Sequence, residues 1–164
     1  MTVRAIHTQL PEMLSAMQVV QQQLRRAGIT LDLQVVEHAT FHQQIRQDLS
    51  PMVYYAAARF PVADIYLTQF FHSRSIVKTP TAVTNFSHCA VADAEIDQAR
   101  VETDPAKQLA LWHAAQKKII EHVCGVPLFE TLLVFARHTS LDYGYDLKGS
   151  MSLGPLITEA TRFR

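Results

Sequence analysis

The chain has 164 residues, of which 48% are hydrophobic and 18% charged, and its formal net charge is zero with its eight histidines neutral. This length suits one domain with a substantial core, and the charge balance gives no indication of a nucleic-acid partner or an anionic membrane surface. The sequence has no run of about 18 apolar residues that would predict a membrane span. It also begins without a recognisable secretory signal, because Gln9, Pro11 and Glu12 interrupt the apolar stretch that such a signal needs.

The first 36 residues predict a strand, a helix and a second strand. Residues 3–7 alternate weakly, which indicates a short strand. Pro11 opens a helix that ends at Gly28, since Pro suits the first turn and Gly suits the C-terminal cap. Residues 29–36 then alternate between apolar and polar side chains. This order implies a parallel pair with a right-handed crossover.

The next segments predict further helices and one buried strand. Thr40 can cap a short helix that carries Phe41 and Ile45. Residues 52–58 are apolar and aromatic without alternation, as expected of a strand covered on both faces. Helical spacing resumes over residues 64–71.

Residues 72–90 show no regular pattern and predict a long surface connection, which in a compact domain tends to be functional or mobile. A short helix over residues 92–101 follows it.

The second half of the chain is organised around a long amphipathic helix that begins at Asp104 and Pro105. Its predicted apolar face comprises Leu109, Trp112, Ala115, Ile119 and Val123. Gly125 predicts its end, and the apolar run 132–135 predicts a buried strand. The tail from about residue 141 is polar and rich in turns, and it is too poorly packed to form an independent domain.

The two cysteines, Cys89 and Cys124, fit either two buried thiols or one disulfide. The thiol interpretation is preferred, because Cys124 follows a helix among apolar neighbours where a small hydrophobic side chain suffices.

Two histidines, His38 and His42, lie four residues apart and could face one metal ion on a helix. No third ligand is evident, and a helix beginning at Thr40 would leave His38 outside it. We therefore expect neither a metal site nor a cofactor.

Ser87, His88 and Cys89 place a hydroxyl, an imidazole and a thiol in sequence. Adjacent side chains on extended backbone point apart, and neither a nucleophile elbow nor a glycine-rich phosphate loop is present. We expect no catalytic residues. The alternative is a small standalone α/β enzyme of hydrolase type that uses His88 or Cys89.

Arg59 follows the predicted strand 52–58, at the carboxyl edge where open α/β sheets bind ligands. Its guanidinium could hold a carboxylate with two hydrogen bonds. Equally, Arg59 could pair with Asp64 or face water. Nearby aromatic side chains are more typical of core than of a ligand surface: Phe60, Tyr66, Phe70 and Phe71.

Several stretches resemble, in the correct order, the extracellular solute-binding proteins of ABC importers, in the class that binds peptides and nickel. The similar stretches are 21–33, 40–45, 59–67, 85–88, 93–99 and 104–129. The resemblance implies an α/β fold: one lobe of a type II periplasmic-binding-protein-like fold, with a mixed sheet flanked by helices. Residues 1–129 would form the second lobe. Residues 130–164 would be a crossover strand and tail that return to the hinge and to a first lobe absent from this chain.

The resemblance further implies a non-enzymatic protein that captures a small solute and delivers it to a membrane permease, with the full-length protein in the periplasm. The implied ligand contacts are Arg59, Phe60, Tyr66, Asn85 and Phe86. Arg59 stands where some peptide-binding members have an Asp that holds the peptide amino terminus. Peptide is therefore in doubt as the ligand, and an anionic compound is favoured.

A third interpretation is an interaction module whose C-terminal tail pairs with a second copy. An unpartnered segment is a low-cost route to a dimer, so we expect a homodimer at high concentration.

Overall fold

The computed structural model describes residues 1–59, 61–79, 84–132, 134–146 and 154–164. The described residues form two compact units. The first unit comprises Met1–Ala57 with Pro61–Val126, and the second comprises the described residues of Ala58–Phe60 and of Pro127–Arg164. No helix in the described part of the chain is both long and apolar enough to cross a bilayer.

The first unit begins with the predicted strand–helix–strand. β1 (Thr2–Thr8) and β2 (Thr30–Val36) pair in parallel along their whole length, and α1 (Pro11–Arg26) connects them. Pro11 stands in the first turn of α1, and Gly28 follows its end with φ of 76°. The predicted parallel pair is confirmed.

Helices cover both faces of this pair, because side chains alternate between its two faces. On the face beneath α1, a core forms from Ala5, Met17 and Leu31. On the opposite face, α2 (His38–Arg46) contributes to a second core of Ile6, Phe41 and Ile45.

The segment predicted as a strand over 52–58 makes a single bridge within the described part of the chain, between Met52 and Ala5 in parallel. Ser50 anchors it, accepting the Ile6 N–H at 3.0 Å and donating to the Met52 carbonyl at 2.6 Å. Its side chains still alternate between the two cores: Met52 and Tyr54 join the one beneath α1, and Val53 and Tyr55 join the one beneath α2. The strand prediction is wrong, although the coverage on both faces is as expected.

The described part of the first unit also contains three further helices and a short 3-10 turn (Ser73–Ser75). The helices are α3 (Ala63–Phe71), α4 (Asp93–Val101) and α5 (Pro105–Glu121). The predicted α3 and α4 are therefore confirmed. Their shared core comprises Leu67, Cys89, Ala92, Ile96, Ala99, Trp112, Ala115 and Ile119.

α5 begins as predicted, with the Asp104 carboxylate accepting the N–H groups of Ala106 and Lys107. It ends at Glu121, four residues before the predicted Gly125, because Val123 adopts φ of 52°. Val123 and Leu109 are exposed, so the buried face is narrower than predicted.

The second unit holds one short antiparallel pair, β3 (Leu141–Asp142) with β4 (Arg162–Phe163). The Asp142 carboxylate accepts two hydrogen bonds from Arg164, at 2.9 and 2.6 Å. The strand predicted over 132–135 is wrong for its described residues: Leu132 and Val134 are 85% and 84% exposed, in no strand. Leu133 lies outside the described residues.

Candidate functional site

The candidate site lies at the carboxyl edge of the parallel pair. β1 ends there at Thr8 and β2 ends at Val36, which are partners in register. The segment after Met52 runs in the direction of β1 and carries Tyr55 towards the same edge. Ligands of open α/β sheets bind beyond this edge.

Two histidines from the first turns of α2 meet at this edge. The predicted cap Thr40 is wrong. Glu37 caps α2, its carboxylate accepting the N–H groups of Ala39 and Thr40, so the helix begins at His38. His38 and His42 then lie on one face of α2, with their Nε2 atoms 3.2 Å apart. The sequence did not predict that α2 begins at His38, because Glu is not a preferred residue at the N-cap position.

The surroundings of this pair favour neutral imidazole at His42. Its pKa is lowered chiefly by burial, and further by the nearby charges of His38 and Arg46. At the helix start, hydrogen bonds from Ala39 N–H and Thr40 N–H lower the pKa of Glu37.

Next to the histidines lies a group of rings that we call the aromatic cluster: His42, Tyr55, Tyr66, Phe70 and Phe86. Tyr55 is central, with its ring centroid 5.9 Å from that of His42, 5.8 Å from that of Phe70 and 5.2 Å from that of Phe86. Tyr66 stacks on Phe70 at 6.5 Å. All five side chains are half-buried. The cluster thus joins the sheet edge to α3 and offers both apolar surface and a phenol hydroxyl.

The loop after α3 is held by Asn85, which is fully buried. Its amide donates to the carbonyls of His72 at 2.9 Å and Cys89 at 2.8 Å. Its oxygen accepts from the Cys89 N–H at 3.2 Å and the Ser87 hydroxyl at 3.1 Å.

The predicted surface connection 72–90 is therefore wrong in part. The loop also buries Val77, Thr84 and Cys89. Hydrogen bonds within the loop pair its buried polar groups, and a disulfide anchors it at Cys89. Residues 80–83 lie outside the described part.

The cysteines form a disulfide between Cys89 and Cys124. The preferred thiol interpretation is wrong, and Cys89 has no free thiol to act as a nucleophile. His88 instead contacts the Asp48 carboxylate, with Nε2 to Oδ2 at 3.2 Å. The arrangement that the standalone-enzyme alternative needs is thus lacking at Cys89.

The chain is similar to a solved structure of the solute-binding protein MoaA from A. tumefaciens R10, in complex with mannopinic acid. The identity is 56%, the TM-score is 0.92, and the match covers 99% of this chain and 33% of that chain. The chain is thus similar to one part of a solute-binding protein. It spans about one third of the length of MoaA.

Two further structures share the fold at low identity. The periplasmic binding protein DppA from Helicobacter pylori, in complex with peptide STSA, has 17% identity and a TM-score of 0.66 over 75% of this chain and 24% of its own. NikA from Brucella suis, in complex with Fe(III)-EDTA, has 19% identity and a TM-score of 0.59 over 75% of this chain and 25% of its own. No protein-family model and no curated protein matches the sequence significantly.

These matches confirm the fold predicted from the resemblance: an α/β lobe of a periplasmic-binding-protein type, with helices flanking a small sheet. MoaA and DppA are described as binding proteins, and all three matched structures contain a bound ligand.

The predicted ligand contacts fall in different places. Tyr66 and Phe86 both belong to the aromatic cluster. Asn85 has a structural role, so its predicted contact with ligand stays a prediction. Arg59 belongs to the second unit, where its guanidinium donates to the Ala58 carbonyl at 2.9 Å. Phe60 lies outside the described residues.

The sequence reasoning overlooked Tyr55 and His42 as members of this surface. Tyr55 was counted only as part of a buried strand, although the end of a strand at the carboxyl edge is itself a signal for a ligand surface. His42 was considered only as a metal ligand, and that role was set aside for want of a third ligand and because the helix was expected to start at Thr40.

Proposed function

We propose that the chain is the second-lobe part of the solute-binding component of an ABC importer. The component captures a small solute and delivers it to a membrane permease, without catalysis and without a cofactor. The observation that carries this proposal is the match to MoaA, at 56% identity over 99% of the chain. Closure of two lobes around a ligand is a well-established binding mechanism.

A periplasmic location of the complete protein agrees with the cysteines. Disulfides persist in oxidising compartments such as the bacterial periplasm and are rare in the cytosol. The Cys89–Cys124 disulfide closes a loop across a sequence separation of 35 within the helical core. The matched DppA is itself described as periplasmic.

The exposed apolar run in the second unit supports the assignment of residues 130–164 to the hinge and first lobe. Phe129, Leu132 and Val134 are 61%, 85% and 84% exposed. Isolated exposed apolar residues are ordinary, but a run of them marks a surface that a partner covers. In this proposal the covering partner is the remaining two thirds of the protein.

The ligand we propose is a small anionic compound of the mannopinic acid type. MoaA is described with that acid, and Arg59 supplies a guanidinium suited to a carboxylate. The aromatic cluster belongs to the first unit and offers apolar surface of the kind that lines most ligand pockets.

Calorimetry of the complete protein tests this function. We expect mannopinic acid to bind with one site per protein, and the dipeptide Met-Leu to bind far more weakly. Mass spectrometry should recover the acid unchanged after prolonged incubation. A chemically altered acid would overturn the non-enzymatic assignment, and tighter binding of the dipeptide would overturn the anionic one.

Arg59 can be tested separately in the complete protein. Arg59→Ala should weaken mannopinic acid binding about 10-fold or more, because a charge-assisted contact contributes about 1.5–3 kcal/mol. Arg26→Ala, at the exposed end of α1, is the matched control and should leave affinity unchanged. Unchanged affinity in Arg59→Ala would remove Arg59 from the site.

A second role, homodimerisation through the C-terminal tail, is favoured for the isolated chain by the same exposed run. Two copies could cover each other's apolar residues where the first lobe is absent. Sedimentation velocity at high concentration should show a dimer. A clean monomer would remove this role and leave the binding function intact.

A further inference from the structure

The ring nitrogens of the two histidines at the start of α2 form an arrangement that the proposed binding function does not use, although the His42 ring is part of the aromatic cluster. His38 is exposed and His42 half-buried, and both project from consecutive turns of one helix. Their rings are nearly perpendicular, at 88°, with centroids 4.6 Å apart. The Nε2 atoms face each other at 3.2 Å.

This separation is the one that two ligands of a single metal ion require. Imidazole nitrogens bind Zn²⁺ at about 2.0–2.1 Å. Two such nitrogens therefore lie about 2.9 Å apart when they subtend a right angle at the ion, and about 3.4 Å apart in a tetrahedron. The observed 3.2 Å lies between these limits. In the metal-free chain, the same distance between the two Nε2 atoms fits a hydrogen bond between the rings.

A neighbouring side chain orients one of the rings. Thr8, fully buried at the end of β1, places its Oγ1 3.3 Å from His38 Nδ1. A hydroxyl that accepts the Nδ1–H fixes the tautomer in which the Nε2 lone pair faces His42. Metal-binding histidines commonly have such an outer partner on their second nitrogen.

We propose that His38 and His42 together bind one borderline divalent transition-metal ion, such as Ni²⁺, Cu²⁺ or Zn²⁺, through their Nε2 atoms. Imidazole suits these ions better than Mg²⁺ or Ca²⁺, which favour oxygen. The expectation that the chain has no metal site rested on the lack of a third ligand and on a helix starting at Thr40. The observed start at His38 removes the second of these grounds.

The protein supplies two ligands to this ion. Within the part of the chain that the structure describes, no group of three or more His, Cys, Asp or Glu side chains is placed to share an ion. Both cysteines are in the disulfide, so no thiolate competes for the metal. Water or oxygen and nitrogen atoms of a bound solute complete the coordination, which leaves the ion accessible at the sheet edge.

The test is calorimetric titration of NiCl₂ into the 164-residue chain, with His38→Gln as the decisive variant. We expect one ion per chain and an affinity that falls at least about 10-fold in His38→Gln, a loss that even outer-shell changes can produce. His113→Gln, which alters an exposed histidine on α5, is the matched control and should bind as the unmodified chain does.

A second measurement does not depend on a variant folding. Substoichiometric Cu²⁺ should broaden the imidazole NMR signals of His38 and His42 before those of the other six histidines. Equal Ni²⁺ affinity in His38→Gln, or uniform broadening of all histidine signals, would overturn the proposal.

Discussion

Replacement of Asn85 by Ala should strongly destabilise the first unit, although the sequence suggested Asn85 as a ligand contact. The substitution removes the amide N–H groups that Asn85 donates to the carbonyls of His72 and Cys89, and it removes the oxygen that accepts the Cys89 N–H. Each buried polar group left unpaired costs about 1–3 kcal/mol. The substitution leaves three such groups, and water that enters the site can pair some of them. We therefore expect the free energy of unfolding to fall by about 3 kcal/mol.

Urea denaturation followed by fluorescence measures this loss. Trp112 is the only tryptophan, and it is buried in the helical core that also contains Cys89, so its emission reports on the affected region. Ser87→Ala is the matched control. It removes only the bond that the exposed Ser87 hydroxyl donates to Asn85, and we expect less than about 1 kcal/mol.

A loss below about 1 kcal/mol in Asn85→Ala would refute the structural role. The same result together with weaker ligand binding in the complete protein would return Asn85 to the ligand site.

Two further predictions concern the helical core. Reduction of the Cys89–Cys124 disulfide, or its replacement by two serines, should lower the free energy of unfolding by about 4 kcal/mol. The unfolded chain gains this entropy when a loop across 35 residues is opened. Identical urea midpoints with and without reductant would contradict this. The hydrogen bond from Lys118 Nζ, at 2.6 Å, holds the pKa of Glu95 below its ordinary 4.5. Its stabilisation is therefore present above that pH and lost as pH falls below it. We expect a contribution of at most about 1 kcal/mol, since the Lys118 side chain is 44% exposed and water screens the pair. Glu95→Gln should flatten this part of the stability–pH profile, and an unchanged profile would count against the pair.

Local capping chemistry made much of the fold predictable. Pro11, Gly28 and the Asp104–Pro105 pair mark helix ends by mechanisms that act within a few residues, and each stands where it was expected. The parallel strand pair followed from the order of the segments. These features need no knowledge of the rest of the chain.

The features that the sequence did not predict depend on distant partners. Residues 52–58 and 132–135 both have strand-like composition, yet a strand needs a neighbour, and the described residues provide a single bridge to the first run and none to the second. α5 stops early because Val123 takes up a left-handed conformation next to Cys124, whose disulfide partner is 35 residues away in sequence.

The candidate site could be predicted only in part, because it too depends on contacts between residues that are distant in sequence. The resemblance placed Tyr66 and Phe86 among the ligand contacts, and the structure links these two rings through Tyr55 and Phe70. Their contact with a ligand stays a prediction. The histidine pair was recognised in the sequence, but it was set aside for want of a third ligand and because a helix starting at Thr40 would leave His38 outside. Glu37 instead fixes the start of α2 at His38 with an unusual cap.

The most direct test of the central claim, that this chain is one part of a two-lobed binding protein, is hydrogen–deuterium exchange over residues 127–132 and 134–138. We compare the isolated chain with the complete protein. The account predicts fast exchange in the isolated chain, where Leu132 and Val134 are in water, and exchange slowed at least about 100-fold in the complete protein, where the first lobe covers and pairs this segment. Equal exchange in both would contradict the claim.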